Sequence, residues 1–295
     1  MQTAAVGASV MQIVLGSLIA ACGGHAGSSL AAPSSAVAAP PVAPGPGDGP
    51  PLATPGEHMQ YRLSLRGVDL ATYDLAIGDI TVLDGKQVIV VQGHARTRGL
   101  AAFFATIDDR FTSWVDVATG RSLRFQTDEY ASGSKTDIEH AVIDLAGRSG
   151  DTIPVTYHVN DAAPRPEPQR ASLPVVWDYN AFLLALRAWE APPGARRVLE
   201  VFRSRSMWHA EVAIVGKTTL TTELGELPAL RIDGQTYKLR RDGSRTPDDA
   251  ERHFTIWISD DDGRVPLQVN TVTDYGDLVM QIVDYQPGSG ARLRP

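Results

Sequence analysis

The sequence predicts a mainly β protein: a curved antiparallel sheet, or a partly open β-barrel or sandwich, of about ten to twelve strands with one packed helix. Three observations carry this. Apolar and polar residues alternate in short runs, as in Met59-Gln-Tyr-Arg-Leu-Ser-Leu65 and Tyr73, Leu75, Ile77, which is the period of a half-buried strand. Tight-turn signals such as Leu83-Asp84-Gly85-Lys86 and Ala118-Thr119-Gly120 separate the runs and join neighbours as hairpins. Helical spacing occurs convincingly in one place, and neither a βαβ alternation nor a repeat of 20–50 residues is present, so a doubly wound fold is excluded.

Taken in order, residues 1–21 carry no charge and centre on Val10, Ile13, Val14, Leu15, Leu18 and Ile19. The run ends Leu18-Ile19-Ala20-Ala21-Cys22, using the chain's one cysteine. Small residues before a cysteine, with a branched aliphatic one step earlier, resemble the bacterial lipobox. That resemblance implies a signal peptide over 1–21 and lipidation of Cys22. Unlike most export signals, the segment has no Lys or Arg. An ordinary cleaved signal and a retained anchor are the alternatives, but Gln12, Gly16 and Ser17 interrupt a run already at the short limit for a span. Acyl chains on Cys22 would hold the protein to a membrane, at about 0.8 kcal/mol per buried methylene.

Residues 22–57 are then read as the lipidated cysteine and a tether. Of the 35 residues after Cys22, 27 are Pro, Ala, Gly or Ser, too few apolar groups to offset the entropy of ordering. Gly23 and Gly24 follow the cysteine where an Asp would signal retention at the inner membrane, so the outer membrane, on its periplasmic face, is expected.

Residues 58–295 form a single β-rich domain in this reading. Val88 to Val91, Phe111 to Val117, Leu123 to Gln126, Lys135 to Leu145 and Ile153 to Val159 read as strands, and 160–172 as a loop. Asp178 caps a helix whose Phe182, Leu183, Leu186 and Trp189 share a face, and Pro192-Pro193-Gly194 stops it. Strands return at Met207 to Val215, Lys217 to Glu223, Leu227 to Asp233, Thr236 to Arg240, Arg252 to Ile258, Val265 to Thr273 and Leu278 to Tyr285.

The run Phe254-Thr-Ile-Trp-Ile-Ser-Asp-Asp-Asp-Gly-Arg-Val-Pro-Leu-Gln-Val269, followed by Asp274-Tyr275-Gly276-Asp277-Leu278, resembles the C-terminal hallmark of the DUF3108 family of exported bacterial proteins of unknown function. Asp109-Arg110-Phe-Thr-Ser-Trp114 with Asp116 and Thr119-Gly120, and the helix Tyr179 to Arg187, resemble its earlier elements. The resemblance spans roughly 60 to 286. It implies export and a β-rich fold and supplies no catalytic residues. The hallmark itself reads as a hairpin. Phe254, Ile256 and Ile258 share one face and Thr255 and Trp257 the other; Arg264 pairs with one of Asp260, Asp261 or Asp262; Pro266 marks an edge or a bulge.

Composition excludes several chemistries. With 27 Lys plus Arg against 34 Asp plus Glu, the chain lacks the positive field that nucleic acid requires. One cysteine forbids an internal disulfide. The consecutive aspartates 260–262 lack the alternating ligands of a calcium loop. Gly216-Lys217-Thr218 lacks the upstream glycine of a phosphate loop, and Ser132-Gly133-Ser134-Lys135 lacks the partner motifs of penicillin-recognising enzymes. The seven histidines are dispersed, and Asp108 and Asp109, adjacent in a strand, point to opposite faces. No catalytic, metal or cofactor site is therefore assigned. The expected function is a non-catalytic, membrane-anchored envelope module that binds an apolar or lipid-like ligand, with Phe182, Trp189, Trp257 and Arg264 as candidate contacts. A structural or protein-interaction protein with a filled core is the alternative, and an envelope hydrolase a more distant one; no protein partner is specified. A dry cavity at Phe182, Leu183 and Trp189 separates the first from the second, and a cleft of convergent acids with shifted pKa marks the third.

Overall fold

The computed structural model describes residues 49–98, 106–131, 134, 136–247, 249–273 and 276–294. The first strands are β1 (His58–Leu65), β2 (Val68–Leu83), β3 (Lys86–Thr97), β4 (Asp108–Asp116), β5 (Ser122–Tyr130) and β6 (Ile138–Asp144). Short pieces follow: β7 (Thr152–Ile153), β8 (Val155–Val159), β9 (Arg165–Pro166), β10 (Gln169–Arg170) and β11 (Val176–Asp178), then the helix α1 (Tyr179–Arg187). The chain ends with β12 (Arg196–Arg203), β13 (Ser206–Thr222), β14 (Gly225–Lys238), β15 (Arg252–Ser259), β16 (Pro266–Thr273) and β17 (Gly276–Gln286).

Fifteen strands make one sheet, ordered β11-β12-β13-β14-β15-β16-β17-β1-β2-β3-β4-β5-β6-β8-β9. Every pairing in it is antiparallel except β11 with β12. The mainly β class is as expected, with more strands than the sequence suggested. Two expected breaks do not exist. Ser206–Thr222 is one strand with a register shift between Ile214 and Gly216, where Gly216 sits at φ 142° as a bulge. Leu227 to Arg240 is likewise largely one strand. Residues 196–203, unassigned from sequence, form β12.

The sheet curls round α1. Inward residues of the strands, among them Met59, Tyr61, Leu63, Tyr73, Leu75, Phe125 and Ile256, make one core. The helix lies inside it and is buried on every side from Asn180 to Arg187, so it is a plug rather than an amphipathic cover. Its first turn is fixed by Asp178, which accepts from Ala181 N at 2.9 Å, from Ser113 Oγ at 2.7 Å and from Ser122 Oγ. Asn180 donates to Ser113 Oγ and accepts from Tyr73 Oη. The helix ends at Arg187, one turn before the prolines expected to stop it.

The ladder does not close between β9 and β11; side chains bridge that seam. Glu167 accepts from Arg205 and Arg241, and Gln169 Nε2 donates to Arg240 O at 2.6 Å. Glu200, fully buried on β12, accepts from the backbone N–H of Ser172 and Leu173 and from Ser172 Oγ. The Glu200 carboxylate thus satisfies, by charge-assisted bonds, backbone N–H groups that a strand partner would otherwise take.

The domain begins before residue 58, which corrects the expected end of the tether. Leu52 and Ala53 are buried, Ala53 O accepts from Leu293 N, and Gly56 N donates to Ile77 O. Glu57 is only 2% exposed and pairs with Arg187 of α1. Cys22, and Ser132, Gly133 and Lys135 of the Ser-x-x-Lys match, lie outside the described residues.

Candidate functional site

The β15–β16 hairpin places Arg264. Phe254, Ile256 and Ile258 face the core and Trp257 the other side, as the alternation requires. Asp261 Oδ1 accepts from Ser259 Oγ at 2.7 Å and from Arg264 N at 3.0 Å, closing the turn over itself. A bulge at Trp257/Ile258 meets Pro266. Arg264 takes a left-handed backbone, φ 49°.

Its guanidinium goes where the sequence did not suggest. No ion pair joins it to Asp260, Asp261 or Asp262 among the described residues. Instead Nε donates to Arg187 O at 3.0 Å and Nη2 to Trp189 O at 2.9 Å. The orphan carbonyls at the end of a helix are the negative pole of its dipole, and a cation there satisfies them. This satisfaction outcompetes an exposed pair across a turn. Burial lowers the Arg264 pKa, while the charges of Glu190, Asp260 and Asp261 oppose that shift.

A groove of about 300 Å³ opens at this end of α1. Trp189, Arg264 and Leu230 form its inner wall, Ala191, Pro193 and Gly216 its side, and Glu190, Lys217 and Asp260 its charged rim. Lys217 Nζ lies 2.7 Å from Asp260 Oδ2. The Trp189 ring is fully buried, and its Nε1 has no hydrogen-bond partner among the described residues.

Two of the four sequence candidates, Trp189 and Arg264, therefore meet here. Phe182 does not. It lines, with Leu183, Tyr179, Arg203, Trp208 and Phe254, an apolar interior void of about 30 Å³. A neighbouring void of about 10 Å³ lies against Tyr73, Tyr179 and Arg203. Trp257 lies on the outer face, with the Arg231 guanidinium 6.0 Å from its ring centroid.

A second cluster was invisible in the sequence. Asp109 points inward from β4 while Asp108 points outward to His94 at 2.6 Å, so the two act separately. Burial, reinforced by the charge of Glu129, pushes the Asp109 carboxyl up to about 7. Burial also raises Glu129, opposed mainly by Arg203. These are acids with shifted pKa, but neither Asp109 nor Glu129 lines the groove or the interior voids described above. Elsewhere His140 lies 2.6 Å from Asp128 and stacks on His158. Among the described residues no group of three or more His, Cys, Asp or Glu is arranged to hold a metal ion.

Comparison with known proteins adds the following. DUF3108, described as a protein of unknown function, matches residues 60–283. No curated protein matches the chain. A solved β-barrel-like protein of the DUF1849 domain of unknown function, from Brucella abortus, is 8% identical, with 80% of this chain and 99% of that one covered at a TM-score of 0.51. It shares the fold. The hypothetical lipoprotein YmcC from Escherichia coli is 10% identical over 80% of this chain and 87% of that one, at a TM-score of 0.30. A Bacteroides fragilis protein with a YmcC-like fold is 5% identical over 81% and 99%, at 0.36.

Proposed function

The chain belongs to the DUF3108 family of unknown function, and we propose that it is a non-catalytic binding protein of the bacterial cell envelope, tethered through Cys22, that takes its ligand in the groove at the carboxyl end of α1. The observation that carries this reading is a contrast of volumes. The groove holds about 300 Å³, the lower end of the size of small-molecule sites, and mixes apolar walls with a few placed charges. The two interior voids hold about 30 and 10 Å³, room for about one water. In this reading Cys22 carries the acyl chains and holds the protein to the outer membrane, on its periplasmic side.

A carrier of an apolar or lipid-like ligand is the second reading. The apolar void against Phe182 and Trp208 favours it. An acyl chain would fit there only by displacing core side chains around α1, which costs about 1–3 kcal/mol or more.

Native mass spectrometry separates the readings. The protein is secreted as residues 23–295 behind an ordinary signal peptide and purified without detergent. A stoichiometric small polar adduct that is lost in Lys217→Met supports the groove. A bound lipid that survives Lys217→Met favours the carrier. A bare mass, with no uptake of offered lipids or polar metabolites, leaves the filled-core interaction protein. Incorporation of labelled palmitate, lost in Cys22→Ala, tests the anchor.

A further inference from the structure

Resting on that reading of the groove, we propose that its ligand is a zwitterion: an amino acid or short linear peptide bearing a free ammonium and a free carboxylate. The groove is lined by two cations, Arg264 and Lys217, and two anions, Glu190 and Asp260. They interact with one another. Glu190 and Asp260 both act on the Arg264 charge, and Lys217 pairs with Asp260 at 2.7 Å. A purely anionic ligand placed against Lys217 and Arg264 meets the repulsion of Glu190. A purely cationic one meets Lys217. A neutral one leaves the charges paired only with each other. A zwitterion satisfies both signs at once.

The geometry favours a fixed carboxylate end. Arg264 is held rigid by its bonds to Arg187 O and Trp189 O, which occupy Nε and Nη2, and Nη1 makes no hydrogen bond among the described residues. A guanidinium already ordered loses little further entropy when it binds a carboxylate. Lys217 and Glu190, by contrast, are exposed, and among the described residues the Lys217 side chain is held only by its pair with Asp260. Ala191, Pro193 and Leu230 give an apolar wall for a small side chain, and the volume of about 300 Å³ limits the ligand to roughly one or two residues.

The test is NMR titration of the secreted form, residues 23–295, with four probes: Ala-Ala, N-acetyl-Ala-Ala, Ala-Ala amide and inorganic phosphate. The expected result is that Ala-Ala shifts the amides of Ala191 and Gly216, and that blocking either end weakens binding at least tenfold. Lys217→Met and Glu190→Gln change exposed side chains and leave the fold intact. Lys217→Met should weaken Ala-Ala but not the amide, and Glu190→Gln should weaken Ala-Ala but not the N-acetyl form. Equal shifts at Ala191 and Gly216 with blocked and free peptides overturn the zwitterion and keep the groove. Groove shifts with phosphate as strong as with Ala-Ala overturn it in favour of a simple anion site. Shifts confined to residues outside the groove overturn both readings, and no shift with any probe overturns the zwitterion.

Discussion

Glu57 and Arg187, separated by 130 residues, form a two-point ion pair, Nη1 to Oε2 at 3.0 Å and Nη2 to Oε1 at 2.7 Å, with neither side chain more than 3% exposed. Tyr285 Oη also donates to Glu57, and Arg187 Nη2 to Gly263 O. The point where the chain enters the domain is thus bonded to the last turn of the central helix and to the hairpin that carries Arg264. Removing one partner of a buried pair strands the other charge, at a cost of about 3–5 kcal/mol. Glu57→Gln should therefore lower stability by that order in urea unfolding, and Glu57→Gln with Arg187→Met should cost less than the two single changes summed. A chain starting at residue 58 should be destabilised relative to one starting at 49, which retains Leu52, Ala53 and Glu57. Equal stability of the two would place the start of the cooperative unit after Glu57.

Asp178 holds the other end of α1 by three acceptor contacts, to Ala181 N, Ser113 Oγ and Ser122 Oγ. Burial pushes its carboxyl pKa up, and these hydrogen bonds hold it back. Asp178→Ala removes an N-cap, worth about 1 kcal/mol, and leaves two buried hydroxyls short of an acceptor at about 1–3 kcal/mol each. The expected loss is about 3–7 kcal/mol. Asp178→Asn, which keeps an acceptor for Ala181 N, should lose less. Thermal unfolding of the two variants ranks them, and equal loss would assign the effect to the carboxylate charge rather than to capping.

What the sequence exposed and what it hid divide along a physical line. Local signals were legible: the alternation of Met59, Tyr61 and Leu63, the cap at Asp178, and the inward row Phe254, Ile256, Ile258. Strand β12 was not. Leu199 to Phe202 are buried on both faces, and the charged Glu200 among them finds Ser172 and Leu173 only in the folded chain. That breaks the alternation by which a strand is recognised. Gly216 looked like a strand break because a bulge and a turn share the same residue. The end of the tether was misplaced because composition cannot show that Glu57 has a partner at Arg187. For the site, Trp189 and Arg264 stood out singly as an aromatic and a cation. Their union through a helix-end carbonyl, and the approach of Lys217 to Asp260, depend on the registers of β13, β14 and β15.

Asp109 should make stability fall as pH rises. The unfolded chain releases this proton near 3.8 and the folded chain near about 7, because burial and Glu129 disfavour the charge. Between those values the folded state binds more protons than the unfolded state, so its stability declines with rising pH, and the loss is complete above the folded value. Each tenfold difference in proton affinity between the two states is worth about 1.4 kcal/mol, which sets an upper limit of about 4 kcal/mol. Asp109→Asn, which cannot ionise, should flatten the urea-derived stability profile between pH 4 and 7. An unchanged slope would assign the dependence to another group.

Gly93 on β3 lies under the Tyr73 ring. A methyl group there would stand 2.1 Å from Tyr73 Oη and 3.2 Å from Asn180 Oδ1. Neither neighbour is a free surface side chain. Tyr73 Oη donates to Asn180 Oδ1 at 3.2 Å, and Asn180 Nδ2 donates to Ser113 Oγ at 3.0 Å. Gly93→Ala must therefore push the Tyr73 hydroxyl off Asn180, and it adds overpacking at about 1–3 kcal/mol to the loss of a buried hydrogen bond. Tyr73→Phe loses only the hydroxyl and should cost about 1 kcal/mol. In the Tyr73→Phe background the clash with Oη is gone, so Gly93→Ala should cost measurably less than in the parent chain. A double-mutant cycle by urea unfolding reads this coupling directly. Additive costs would show that Tyr73 does not bear the strain and that β3 itself shifts to accommodate the methyl group.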